Sequence, residues 1–78
     1  MPHISIKMLK GRTEEQKIKA AKAVQQALHD SIGASLSHIS VSVEDYTPQD
    51  WQDVFKVDII DKKDAVLIKP NYDPKDLL

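Results

Sequence analysis

The stretch Pro2-His-Ile-Ser-Ile-Lys-Met-Leu-Lys-Gly-Arg-Thr-Glu-Glu-Gln-Lys17 decides the fold, because its hydrophobic period changes part-way along. From Pro2 to Met8, apolar Ile4, Ile6 and Met8 alternate with His3, Ser5 and Lys7, the period of two that marks a strand with one buried face. Leu9 to Arg12 turns the chain. Thr13 followed three residues later by Gln16 is a capping box, in which each side chain satisfies a backbone N–H that the start of a helix leaves without a partner. Ile18, Ala21, Val24, Leu28 and Ile32 then recur at spacings of three and four, predicting a helix over residues 14–32 with one apolar stripe. Alanines at 20, 21, 23 and 27 permit close packing. Glu14 and Glu15 lie where the helix dipole favours anions, Glu15 is spaced to pair with Lys19, and Gly33 supplies a left-handed stop.

Downstream, Ile39, Val41 and Val43 alternate with Ser40, Ser42 and Glu44, a second half-buried strand. A long helix between two strands is a parallel, right-handed crossover, so the fold class is α+β built on one β-α-β unit. Two parallel strands under one helix leave sheet edges open and a face unfilled, which predicts sheets joined between subunits with helices over one face. Thr47-Pro48 reads as an N-cap with proline at the first helical position, opening a short helix through Trp51 to about Phe55. A second short helix is predicted near residues 61–67, a turn at Lys69-Pro-Asn-Tyr72, and a fraying tail from Asp73 onward.

A chain of 78 residues forms one domain, 1–78, and a core this small usually needs a staple. There is no cysteine to form disulfides, and His3, His29 and His38 lack metal-ligand spacing, so no metal site is expected and oligomerisation is the staple left. A formal charge of −1 gives no general attraction to nucleic acid or to an anionic membrane. No apolar run approaches the roughly 20 residues of a membrane span, and Met-Pro-His-Ile lacks the basic and apolar regions of a signal peptide, so a cytoplasmic location is expected.

Pro2 is the first candidate for chemistry. Removal of Met1 ahead of a small residue would leave a secondary amine, a base unlike any side chain, on a rigid ring that fixes its lone pair. An apolar, cation-lined pocket lowers an amine's pKa toward the working range of a general base, and Trp51, Phe55 and Arg12 are the residues available to line one. Met-Pro alone is a weak signal, since proline also simply tolerates the first position of a strand.

The residues around Pro2 make the signal specific. The opening pattern of Pro, alternating strand, Leu-x-Gly-Arg and capped helix resembles the 4-oxalocrotonate tautomerase family, and the likeness continues through Ser-Leu-Ser-His-Ile-Ser-Val-Ser-Val-Glu-Asp45. Pro-Gln-Asp-Trp-Gln52 and Leu-Ile-Lys-Pro-Asn-Tyr72 resemble the longer bacterial branch of that family, which implies a homodimer in preference to a hexamer. By resemblance, Pro2 is the general base and Arg12, the only arginine of the chain, holds the substrate carboxylate. A guanidinium grips a carboxylate at two points, which lysine does not. Trp51 matches the aromatic that lines the family's pocket, and Leu9 a position whose backbone amide donates to substrate.

The chain departs from that family pattern at Ser40, which stands where the hexameric enzymes carry a second arginine. Polarisation of the substrate carbonyl then falls to a hydroxyl, a water or a backbone amide. The expected substrate is a small-molecule monocarboxylate enol whose aromatic or apolar tail lies against Trp51 and Phe55, with only weak activity on a dicarboxylate. The expected reaction is cofactor-independent keto-enol isomerisation. Two alternatives stay open: a non-catalytic oligomerising module of the same fold, and hydration, dehalogenation or decarboxylation by the same proline. Lys17, Lys19 and Lys22 read as a solvated helix face, Glu44, Asp45 and Asp50 as a loose carboxylate cluster, and His3 as a surface or interface residue.

Overall fold

Thr13 opens the long helix as its hydroxyl requires: in the computed structural model, which describes residues 1–78, the Gln16 N–H donates to Thr13 Oγ1 at 3.1 Å. Reciprocally, the Thr13 N–H donates to Gln16 Oε1 at 2.9 Å. Helix α1 spans Glu14–Ile32 and stops where Gly33, at φ 74°, takes the left-handed conformation. Strand β1 spans His3–Leu9 and β2 spans Ser40–Tyr46, and they pair in parallel from His3↔Ser40 to Leu9↔Tyr46. A turn of 3₁₀-helix at Leu36–His38 links α1 to β2. Between β1 and α1, Gly11 at φ 132° makes a bend that side chains rarely adopt, and Arg12 follows it at the surface.

Thr47 caps helix α2, Pro48–Val54, by accepting from the Asp50 N–H at 3.1 Å, with Pro48 at the first position as its fixed φ favours. The separate helix expected near residues 61–67 is absent. Instead α2 runs on as a turn of π-helix at Phe55–Ile60, closed by the Asp61 N–H donating to the Lys56 carbonyl, and residues 61–65 are turns. The tail does not fray either. Asp73 accepts from the Lys75 N–H at 3.0 Å and caps a 3₁₀ turn, Pro74–Leu77, while Gln52 Nε2 donates to the Pro74 carbonyl at 2.8 Å and ties that turn to α2.

The helices do not share one face of the sheet. Ile18 and Ala21 of α1 lie against Val41 and Val43, whereas Trp51, Val54 and Asp58 lie against Ser5 and Lys7, whose side chains point the other way. Lys7 stands on the polar side of the β1 alternation. Its stem is covered and its Nζ donates to Asp58 Oδ2 at 2.6 Å, with Lys62 Nζ on the other carboxylate oxygen at 3.1 Å. Lys17 is likewise engaged, bridging Glu14 at 3.2 Å and Asp45 at 2.9 Å, so the ion pair in this part of α1 involves Glu14 and not Glu15.

The hydrogen bond from Lys7, then that from Lys62, holds the Asp58 carboxyl below its ordinary value of 3.8, while the bond to Asp58 raises Lys7 above 10.5. A depressed carboxyl contributes stability that is present above about pH 4 and lost as pH falls through its folded value. A raised lysine contributes stability that is present below 10.5 and lost above it. Asp58→Asn is therefore expected to melt several degrees below wild type from pH 5 to 10 and to converge with it toward pH 3, as thermal denaturation at three pH values would show. A constant gap down to pH 3 would remove the ion pair from the explanation.

Only Ile39, 6% exposed, and Val54, 8% exposed, are buried. Leu67 and Ile68 are 92% and 91% exposed, and Ile32, Val57 and Ile60 are more than half exposed. A compact monomer of 8.8 kDa exposes about 4,800 Å², and this chain exposes 5951 Å². The excess, about 1,200 Å², is more than one partner's share of a standard interface. No helix is long and apolar enough to cross a membrane.

Candidate active site

Arg12, which follows the Gly11 bend, lines a recess of about 320 Å³ at the carboxyl end of β1. Met8 and Leu9 of β1, Trp51 of α2, and Tyr72 and Leu77 of the C-terminal segment form its walls, with Lys7 at the edge. Three of the predicted site residues, Leu9, Arg12 and Trp51, thus meet in one place. No carboxylate lines it. The Arg12 side chain makes no ion pair or hydrogen bond within the chain, so its five N–H donors are free in a setting that is otherwise largely apolar.

Trp51 is held on two sides. Its Nε1–H donates to Tyr72 Oη at 2.9 Å, and its ring meets Tyr46 edge-on with centroids 6.2 Å apart. Its other flank faces a second recess of about 380 Å³, where the Lys7–Asp58–Lys62 ion pairs lie. Phe55 stays out of both. It packs edge-on behind Tyr72, centroids 5.5 Å apart, and lines a separate pocket of about 260 Å³ with Ile59, Ile60 and Val66.

Pro2 and Ser40 occupy the opposite end of the sheet. The Pro2 carbonyl accepts from the Ser40 N–H at 3.2 Å, and the Ser40 hydroxyl shares a hydrogen bond with His3 Nδ1 at 2.6 Å. His3 Nε2 contacts the Ser42 hydroxyl at 3.3 Å, so this surface histidine braces the polar face of the two strands. Seven strand residues separate Pro2 from the turn before Arg12, about 23 Å at 3.3 Å per residue. Within one chain, the two ends do not reach the same small molecule.

The model of the family described as tautomerase enzymes matches residues 2–53. The chain belongs to the tautomerase family. It is similar to the Xylella fastidiosa protein named "Probable tautomerase", 37% identical over 92% of this chain and 89% of that one. Tautomerase PptA of Escherichia coli O127:H6 is 30% identical over 92% of this chain and 97% of its own length. Among solved structures, a 4-oxalocrotonate tautomerase isozyme from Methylibium petroleiphilum superposes with a TM-score of 0.61 at 34% identity, covering 64% of this chain and 81% of that one. The tautomerase is thus an isomerase of the 4-oxalocrotonate tautomerase family, with the parallel β-α-β fold of its relatives.

Sequence reasoning missed Tyr72 and Leu77 as walls of this tautomerase's recess. One available signal was Asp73-Pro74, which repeats the cap-and-proline pattern of Thr47-Pro48 and pins the segment that Tyr72 precedes.

Proposed function

We propose that this tautomerase interconverts the enol and keto forms of a small aromatic 2-oxo monocarboxylate at a site shared by two copies of the chain. The observation that carries the reading is Arg12: a lone, unpaired guanidinium in a recess walled by Trp51 that lacks any neutralising carboxylate. Such a setting favours an anion with an apolar body. Arg12 holds the carboxylate, Leu9 contributes its backbone, and Trp51 receives the apolar part.

The base is Pro2 from the second copy, once removal of Met1 has converted its nitrogen from an amide to an amine. The free edge of β1 supports this arrangement. Antiparallel pairing of two β1 strands about Ile6 overlaps them fully and sets Pro2 of one copy opposite Lys10 of the other, beside Leu9 and the approach to Arg12. The unburied apolar surface described above supports association in the same way. Pro2 takes the enol hydroxyl proton, becomes a secondary ammonium, and delivers that proton to the neighbouring carbon as the carbonyl forms, which restores the amine. Fixing the carboxylate keeps oxygen and carbon within reach of one nitrogen.

Isomerisation is favoured over hydration because no carboxylate lines the recess to activate water. Asp58 is taken up by Lys7 and Lys62, and Asp45 by Lys17. Ser40, bonded to His3, offers no second cation for a dicarboxylate. The test is ultraviolet measurement of phenylenolpyruvate ketonisation by protein whose intact mass lacks Met1. Turnover is expected; a processed chain no faster than buffer would leave the oligomerising module as the better reading.

A further inference from the structure

The missing second cation leaves open what completes the grip on the carboxylate, and the C-terminal segment offers one group. A tyrosine hydroxyl has one donor and two acceptor lone pairs. Tyr72 Oη accepts the Trp51 indole N–H at 2.9 Å, and its own proton has no acceptor within the chain. The ring is held from behind by Phe55, so the hydroxyl has a fixed place in the wall of the Arg12 recess. No carboxylate or free carbonyl among the recess side chains competes for that proton, and Lys7, at the edge, is already committed to Asp58.

We infer that Tyr72 is a substrate-binding residue whose hydroxyl donates to the carboxylate held by Arg12, selecting carboxylates over neutral analogues of the same shape. It rests on the proposed reading of the Arg12 recess as the substrate site. A phenol donating to a carboxylate is a short, charge-assisted bond, and a bidentate guanidinium leaves carboxylate lone pairs free to accept it. Tyr72 lies beyond the residues 2–53 matched by the family model, so this contact belongs to the C-terminal extension that packs on α2.

Trp51 is the only tryptophan and stands in the recess, so its fluorescence reports binding without any need for turnover. The probes are 3-phenylpropionate and its neutral amide, titrated against wild type and Tyr72→Phe. Tyr72→Phe keeps the ring packed on Phe55, and an unchanged melting temperature shows that the variant is folded. The acid is expected to bind Tyr72→Phe about tenfold more weakly, the amide to lose clearly less because its carbonyl accepts only an uncharged hydrogen bond, and the KM for phenylenolpyruvate to rise about tenfold with kcat little altered. Equal weakening of acid and amide would show that Tyr72 only steadies Trp51, and no weakening of either would show that it does nothing; both overturn the inference, as does wild type that binds no acid. Wild type that binds the acid in this Tyr72-dependent way without ketonising the enol supports Tyr72 as a carboxylate donor while the assignment of Pro2 fails.

Discussion

Pro2→Ala is expected to lower kcat for phenylenolpyruvate ketonisation about 10²–10³-fold, with KM changed much less, because a positioned general base contributes about 10²–10⁴ in rate. The loss falls short of the upper limit for a chemical reason. Alanine at position 2 still ends in an amine once Met1 is removed, but a primary one on a freely rotating backbone, so basicity persists while the direction of the lone pair is lost. The substitution is mild for the fold. Pro2 precedes the first residue of β1, and the bond it makes to the sheet runs through its carbonyl, which alanine retains. An unchanged melting curve with a collapsed kcat would therefore isolate the amine. Equal rates in processed wild type and variant would end the proline mechanism. A large rise in KM alone would move Pro2 from chemistry to binding.

The elements that were legible in the sequence are those built from local rules. Thr13, Gln16 and Gly33 set both ends of α1 to the residue, and Thr47-Pro48 set the start of α2, because caps satisfy backbone groups within a few residues of themselves. The region after Val54 was not legible for the opposite reason. Phe55, Val57 and Ile59 alternate with Lys56 and Asp58, a strand-like period. The chain nevertheless continues α2 with a wider π turn, which sets Asp58 on Lys7 and Ile59 in the two flanking recesses. That choice is made by β1, more than forty residues away in sequence. The site divides along the same line. Leu9, Arg12 and Trp51 were legible as candidates because a motif and a lone residue type mark them. Tyr72 joins them through a hydrogen bond spanning 21 residues from a segment without regular structure, and the Asp73-Pro74 cap beside it announces a turn but not that contact.

Mixing two inactive variants is expected to restore activity that neither has alone. Arg12→Ala should lose about 10²-fold in kcat/KM, the cost of removing a bidentate charged contact, and Pro2→Ala loses its base. If the site takes Pro2 from one copy and Arg12 from the other, a mixed dimer holds one site with both residues replaced and one with both intact. Equal amounts co-refolded give half mixed dimers, each with one of its two sites working, so roughly a quarter of wild-type activity returns from parents near 1%. The same fraction follows if three such dimers assemble further, because each site still draws on one pair of chains. The seven-residue length of β1 makes the experiment decisive. About 23 Å of extended strand between Pro2 and the turn before Arg12 is longer than a phenylenolpyruvate molecule, so a site within one chain would require β1 itself to break. Activity no greater than the sum of the two parents would show that the chains do not share their sites, and the antiparallel β1 pairing about Ile6 would fall with that result.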